Sequence, residues 1–515
     1  MDIVLKRNMN IGTGAAENDG EFLSECFLRT SEYSSLLDFD DKKMILLGRT
    51  GCGKTALMNM LKNDVDVFIP IKPEIFVFQY INNIPFVNAM KEEGINLEIF
   101  YKFLWMHEII SHIIKNYFAY HKKDFFKILS ENTKNAGRIS ELKKYLDTYG
   151  NIFFEEQGIT KLTAEIEKKI AGEMGYADFF KVKGTLTQSQ KQELQTKASQ
   201  CVNATQISQL KNVISLLKEY FELNKQRKTI VTIDDLDQNW VDDDSKYKLI
   251  HALLDALRMF IDIPNLKVLV AMRADLLAKT CEVMNRQNEK DEAFTLKINW
   301  NENALIQILD KRINYLFRNK YQKSLNITFK DLFNCNINGN LAVNYIIERT
   351  MMRPRDAITF VNMCIAKADG YTHITSDAII NAEEEFKYNR LEALKHEWAY
   401  NYPNIEEYIK ALYCLGNEFY YSDAIFKYSE VEGILYASNK QSDPVVQSFL
   451  ICGKEDSFCQ EASIKKLLNV LFTIGIIGFK DKRNNIVYAS PNRPMLNELD
   501  YSNNLKFVVH PLFQK

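Results

Sequence analysis

Met44-Ile-Leu-Leu-Gly48-Arg49-Thr50-Gly51-Cys52-Gly53-Lys54-Thr55-Ala56 decides the reading of this chain. Four apolar residues run into a glycine-rich turn that closes on Lys-Thr, the spacing of a strand, a phosphate-binding loop and a helix start. Gly48, Gly51 and Gly53 are expected to supply positive φ and close approach, so that successive backbone N–H groups converge on one point. A helix starting near Gly53 adds the positive end of its dipole. In this arrangement Lys54 reaches the β- and γ-phosphates of a bound nucleotide, and the Thr55 hydroxyl is a Mg²⁺ ligand. Residues 48–56 together form the candidate nucleotide cradle, and Ala56-Leu-Met-Asn-Met-Leu61 continues it as an amphipathic helix.

Length and composition limit what surrounds this loop. With 515 residues, one core is too few, and about three domains are expected. An apolar fraction of 46% and a charged fraction of 26% are those of an ordinary globular protein. The net charge of -2 gives no chain-wide footprint for nucleic acid, although a local basic patch stays open. Nine cysteines, odd in number and without a C-x-x-C pair, fit neither a disulfide framework nor a zinc site, and point to a reducing cytoplasm. Cys52 reads as a small filler of the loop, with redox sensing as the alternative. Met1-Asp-Ile-Val-Leu-Lys-Arg lacks a secretory apolar region, and the run from Leu467 to Phe479 is too short to span a bilayer.

Before the loop, residues 12–20 read as a glycine-bearing turn and Glu21–Leu28 as a helix. Phe27 and Tyr33 are candidate neighbours of an adenine base, with core packing as the alternative. After it, Glu74–Ile81 reads as a strand, and Asn96 as the cap of a long helix through Tyr117, apolar on more than one side. Residues 119–228 turn charged and read as a mostly helical insertion, either a contact arm or a solvated excursion.

Thr229-Ile-Val-Thr-Ile-Asp234-Asp235-Leu-Asp237 is an apolar β-rich run that ends in carboxylates, as a Walker B strand does. Asp234 is then the second Mg²⁺ residue, and Asp235 orients or deprotonates the attacking water. Asp237 supports hydrolysis or caps a helix. Leu266–Met272 and Ala293–Trp300 read as further strands, making five in a doubly wound parallel α/β sheet with room for a strand between those of the two motifs. Arg273 closes such a strand as a sensor of the γ-phosphate, or pairs with Asp275 or Asp235.

From residue 301 to 387 the chain reads as a helical lid. Leu305, Ile308, Leu309, Ile313 and Leu316 share one helix face, and Pro354 starts a helix that carries Arg353 and Arg355 at its tip. A lid closing over the nucleotide brings those arginines to its phosphates; the alternative is pairing with Asp356 or Glu348. From 388 to 515, a helix with Ser463 as its cap, Gly475 as its stop, a hairpin turning at Asn484-Asn485 and a strand at Phe507–Phe513 together suggest a winged helix. Lys465, Lys466, Lys480, Lys482 and Arg483 are its candidate DNA contacts.

This order of phosphate loop, insertion, Ile-Asp-Asp-Leu-Asp strand, Met-Arg-Ala-Asp strand, Arg-Pro-Arg-Asp helix start and terminal His-Pro-Leu-Phe resembles a poorly characterised family of bacterial P-loop ATPases. That family is similar to the STAND, KAP and Orc-like branch of the AAA+ class. The resemblance runs from Phe27 to Phe513, with little carried by residues 119–228. It implies an ATPase core over 1–300, the lid over 301–387 and the winged helix over 388–515. It further implies that Lys54, Thr55, Asp234 and Asp235 bind and hydrolyse Mg-ATP, that Arg273 is the first sensor, and that Arg353 or Arg355 acts from the lid or on a neighbouring subunit. Many AAA+ proteins carry Glu at the position of Asp235; the shorter side chain suits slow hydrolysis and a switch. Two functions follow: an ATP-controlled, oligomerising switch with a separate effector protein, of a kind found in anti-phage loci, or a DNA clamp closed by ATP. A P-loop kinase is a third, disfavoured by the Asp-Asp pair. No membrane partner is expected.

Overall fold

A computed structural model describes residues 3–72, 91, 96–131, 188–189, 192, 196, 208–223, 227–237, 243–287, 289–322, 324–438, 441–452 and 456–515. Internal contacts divide the chain into two compact units. One comprises Thr30–Leu47 and Leu57–Leu296, the other Met1–Arg29, Gly48–Ala56 and Lys297–Lys515.

The first of these is built on a five-stranded sheet of β1 (Ile45–Gly48), β2 (Val67–Ile71), β3 (Thr229–Ile233), β4 (Leu266–Arg273) and β5 (Thr295–Lys297), in the order β2-β3-β4-β1-β5. β3 and β4 are buried along their whole length, which explains why they read as mostly apolar, β-branched runs rather than alternating ones. They pair in parallel from Thr229 opposite Leu266 to Ile233 opposite Val270. β2 pairs in parallel with β3, setting Val67 opposite Thr229 and Ile71 opposite Ile233. Strand β4 thus lies between β3 and β1, where the sequence left room for it.

The expected strand at 74–81 lies outside the described residues; Val67–Ile71, which the sequence reading passed over, is a strand of the sheet. Pro70 hides it from a propensity reading, but β2 lies at one end of the order among the described strands, where a missing N–H is tolerated. The strand expected over 293–300 is confined to its middle, Thr295–Lys297.

The long helix starts at Glu98, with the Asn96 side chain accepting from the Glu98 N–H at 2.8 Å, and runs to Glu131, beyond the expected end. Its Phe100, Trp105, Met106, Ile109 and Ile113 are all buried. It packs on the Asp243–Leu257 helix, where Trp105 Nε1 donates to the Leu249 carbonyl at 2.8 Å. Within the 119–228 insertion, the described residues include the end of this helix and a second helix, Ser208–Leu223. Lys267 is buried in β4, and its Nζ donates to the carbonyls of Ser35, Leu36 and Asp38, which the Ser31–Leu37 helix leaves unpaired at its end. Burial pulls this lysine down to about 8.

The other unit has one continuous apolar core from Leu5 to Phe513. The helix Glu302–Lys320, capped by the Asn301 side chain on the Ala304 N–H, buries Leu305, Ile308, Leu309, Ile313 and Leu316 as its spacing requires. Arg312 points from the same helix into a buried ion pair with Asp19, and its Nη1 also donates to the Ile11 carbonyl at 2.9 Å. Asn362 accepts from the Ile11 N–H and donates to the Gly12 carbonyl, both at 2.8 Å. These bonds tie the N-terminal segment to helices some 300 residues later in the chain. A short antiparallel pair, β6 (Asn336–Ile337) and β7 (Asn340–Leu341), precedes the helices Ala342–Glu348, Pro354–Lys367 and Ser376–Trp398.

After these, β8 (Glu418–Tyr420), β9 (Ile477–Lys480), β10 (Ile486–Val487) and β11 (Lys506–Val509) form an antiparallel sheet in the order β10-β9-β11-β8. The expected helix and hairpin are present; the closing strand expected over Phe507–Phe513 is Lys506–Val509, and Pro511–Phe513 is a 3-10 turn instead. The helix begins earlier, at Ser457, and its cap is Asp456, which accepts from the Cys459 N–H; Ser463 is a mid-helix residue bonded to the Ser448 and Cys459 carbonyls. Gly475, at φ 92, ends it in the left-handed conformation that glycine adopts without strain.

Candidate phosphate-binding loop

Strand β1 ends at Gly48 and the next helix starts at Lys54, so the chain reverses within five residues. Gly51 at φ 76 and Gly53 at φ 94 make that reversal possible, since a left-handed backbone costs other residues about 1–2 kcal/mol. Gly48 works differently from the expectation: it is not among the positive-φ glycines, and glycine is needed there because a Cβ would collide with Cys52 Sγ. Cys52 is therefore a buried filler in this geometry, and its carbonyl accepts from Trp300 Nε1 at 2.7 Å. A Cβ built on Gly53 meets nothing within 4 Å, so that side of the loop is open.

Lys54 Nζ folds back to donate to the carbonyls of Gly48 at 3.3 Å and Arg49 at 3.1 Å. The Thr50 hydroxyl is buried without a hydrogen-bond partner among the described residues. Thr55 and Ala56 follow in the first turn of the helix, half-buried. A cation, an orphan hydroxyl and a left-handed glycine turn at a helix start make up the chemistry of an anion cradle.

Two of the sequence-derived arginines reach this neighbourhood from the Pro354–Lys367 helix, with Pro354 in its first turn as expected. The Arg355 N–H donates to the Gly51 carbonyl at 3.4 Å and its Nε to the Gly14 carbonyl at 3.1 Å, laying the side chain over Gly51. Arg353 is buried instead. Its Nη1 lies 3.9 Å from Glu397, which Arg390 also approaches, at 3.4 Å, while Arg390 reaches Asp356 at 3.5 Å. Asp356 thus has Arg390 as its ion-pair partner, and Glu348 has Arg349. Arg390, Glu397 and the guanidinium of Arg49 escaped the sequence reading, because nothing in their spacing links them to the loop.

Arg49 is the least expected of these. Its Nη2 donates to the Ile474 carbonyl at 2.6 Å and its Nη1 to the Ala489 carbonyl at 3.2 Å. Burial, followed by the charge of Arg353, pulls its pKa well below the usual arginine range. His510, in the terminal His-Pro-Leu-Phe, is also buried and pushed down to about 3, first by burial and then by Arg49 and Arg353.

In the sheet-bearing unit, Asp234 and Asp235 follow directly on β3. Asp235 has φ 62, a left-handed value at a residue other than glycine, and its N–H donates to Asp234 Oδ1 at 2.9 Å. Arg273 ends β4 in a two-point bond to Asp275, Nε to Oδ1 at 3.0 Å and Nη2 to Oδ2 at 2.8 Å, with Asp237 at 3.9 Å. Among the pairings left open by the sequence, the one with Asp275 is present. Tyr33 is a core residue whose hydroxyl donates to the Met60 carbonyl at 3.1 Å and to Asp64; the carbonyl of Phe27 accepts from Lys311 Nζ at 3.0 Å.

Of the candidate DNA contacts, Lys465 pairs with Glu461 and Glu498, and Lys480 with Glu418, while Lys482 and Arg483 are exposed near the tip of the hairpin. Among the described residues, no group of three or more His, Cys, Asp or Glu is placed to hold a metal ion, and no helix is long and apolar enough to cross a membrane.

Comparison with known proteins adds two findings. Residues 303–395 match the FunZ-associated C-terminal helical domain. The whole chain aligns, at 22% identity, with 67% of a protein of Escherichia coli (strain K12) provisionally named the transposon gamma-delta 80.3 kDa protein.

Proposed function

We propose that this protein binds and hydrolyses Mg-ATP and acts as a nucleotide-controlled switch that assembles into oligomers. The observation that carries the reading is the loop itself: left-handed Gly51 and Gly53 after a parallel strand, with Lys54 at the start of the following helix. The fit to a phosphate rests on the Thr50 hydroxyl and the Lys54 ammonium, which among the described residues have no partner and loop carbonyls alone, respectively, and on the open side at Gly53; Lys54 can exchange those carbonyls for phosphate oxygens. The strand order supports the same reading, with β4 between the strand that leads into the loop and the strand that ends at Asp234.

In this proposal Lys54 and the loop N–H groups hold the β- and γ-phosphates, and Thr55 and Asp234 hold Mg²⁺. The metal supplies charge neutralisation at the transferred group. Asp235 accepts a proton from water or orients it. Arg273 exchanges Asp275 for the γ-phosphate as a sensor, and Arg355, over Gly51, is better placed than the buried Arg353 to meet an incoming anion. The residue range 388–515 is read as a winged helix.

The test is Mg-ATP binding and turnover by the wild-type chain and by Lys54→Ala, with the mass of Asp235→Asn followed by light scattering with and without Mg-ATP. Binding that survives Lys54→Ala would sink the assignment. A second reading, an ATP-closed DNA clamp, draws on the exposed Lys482 and Arg483 and on the transposon in the relative's name. Against it, Lys465 and Lys480 are already paired with carboxylates. Adding duplex DNA to the same experiment separates the two: a mass shift that needs both ATP and DNA favours the clamp. A role in anti-phage defence rests on the family resemblance alone.

A further inference from the structure

The loop residue Arg49 has two ends engaged in different structures. Its carbonyl is one of the two that hold Lys54 Nζ, at 3.1 Å. Its guanidinium is buried against the C-terminal end of the Ser457–Ile474 helix and the segment after the β9–β10 hairpin, donating to the Ile474 and Ala489 carbonyls. The last carbonyls of a helix have no partner within it and carry the negative end of its dipole, so a cation there replaces the missing donors. The site is closely fitted, because a Cβ on Gly475 would collide with Arg49 Nη2. Arg353 and Arg390 lie close enough to disfavour the Arg49 charge, and Glu397 and Asp356 to favour it.

We infer that Arg49 is a positioning residue that couples occupancy of the phosphate loop to the 474–490 segment. This rests on the nucleotide reading. When Lys54 exchanges the Gly48 and Arg49 carbonyls for phosphate oxygens, the Arg49 backbone loses a charged donor, and its side chain transmits the shift to the helix end and hairpin. Linkage is reciprocal, so a partner that displaces the hairpin changes nucleotide affinity by the same factor.

The experiment is amide hydrogen exchange across residues 474–490 of the full chain, with and without saturating Mg-ADP, in the wild type, Arg49→Ala and Arg49→Lys. The wild type is expected to show at least a threefold nucleotide-dependent change there, in either direction. Arg49→Lys keeps a cation at the helix end but lacks the planar guanidinium fork whose two Nη atoms reach the Ile474 and Ala489 carbonyls, so it holds the fold if Arg49→Ala does not. Each variant that folds is expected to lose most of the nucleotide-dependent change at its own saturating ligand concentration. A wild type that binds Mg-ADP without altering exchange at 474–490, or a variant that responds as fully as wild type, overturns the coupling. A wild type that binds no nucleotide overturns the functional reading on which it rests.

Discussion

Asp235→Asn separates hydrolysis from folding more cleanly than any other substitution in the proposed site. Asp235 sits at φ 62, and Asn is the replacement that tolerates a left-handed backbone as well as Asp does. The bond to Asp234 Oδ1 comes from the residue 235 backbone N–H, so the substitution leaves it in place. Removing one carboxylate from the Asp234-Asp235-Leu236-Asp237 run relieves like-charge repulsion. Stability should therefore stay within about 0.5 kcal/mol of wild type. If Asp235 acts on the attacking water, turnover should fall about 10²- to 10⁴-fold, equivalent to roughly 3–5 kcal/mol of transition-state stabilisation. The assay pairs a urea unfolding curve with phosphate release under saturating Mg-ATP. Asp235→Ala serves as the control, since it removes the carboxylate and also forces Ala into a left-handed backbone at a cost of about 1–2 kcal/mol. Wild-type turnover by Asp235→Asn would refute the reasoning, and equal destabilisation of the two variants would refute the part that rests on backbone geometry.

Lys54→Ala is expected to abolish detectable Mg-ATP binding by fluorescence titration while leaving the urea midpoint near that of wild type, because its partners here are loop carbonyls. Arg312→Ala strands Asp19 in a buried site and should cost about 3–5 kcal/mol, read as a fall in the urea midpoint. Acid should destabilise the protein through His510. Its folded pKa of about 3 lies below the unfolded value of ~6.5, so the unfolded chain binds the proton first and the stability present above pH ~6.5 is lost as pH falls toward 3. Between pH 6.5 and 5 this one group contributes a loss of about 2 kcal/mol, and His510→Gln should flatten that part of the pH–stability curve.

What was legible in the sequence follows from how local the cause is. β3 and β4 are buried on both faces, so apolar and β-branched residues dominate both strands and they can be read directly. The phosphate loop is legible because left-handed turns and close approach strongly favour glycine, although at Gly48 the reason is Cys52 rather than φ. β2 was missed because Pro70 argues against a strand, and its place at one end of the order among the described strands, where Pro is tolerated, is set in space rather than in sequence. The cap of the Ser457–Ile474 helix was misplaced because Ser457–Ala462, before Ser463, is helical too, and the Asp456 bond marks the start. The Arg49 bridge was invisible for a deeper reason: the phosphate-loop pattern leaves its position unspecified, and its acceptors are carbonyls, which carry no residue identity at all.

The way the chain alternates between its two units constrains its synthesis. Met1–Arg29 and the phosphate loop belong with residues that begin only at Lys297. At roughly 5–20 residues per second on the ribosome, those early segments wait on the order of ten seconds to a minute for their partners. Throughout that time Leu5 and Ile11, fully buried in the finished protein, are without most of their eventual core. A nascent chain of this design is an early client for chaperones, and a gene cut near codon 297 would yield neither half with its phosphate loop in place.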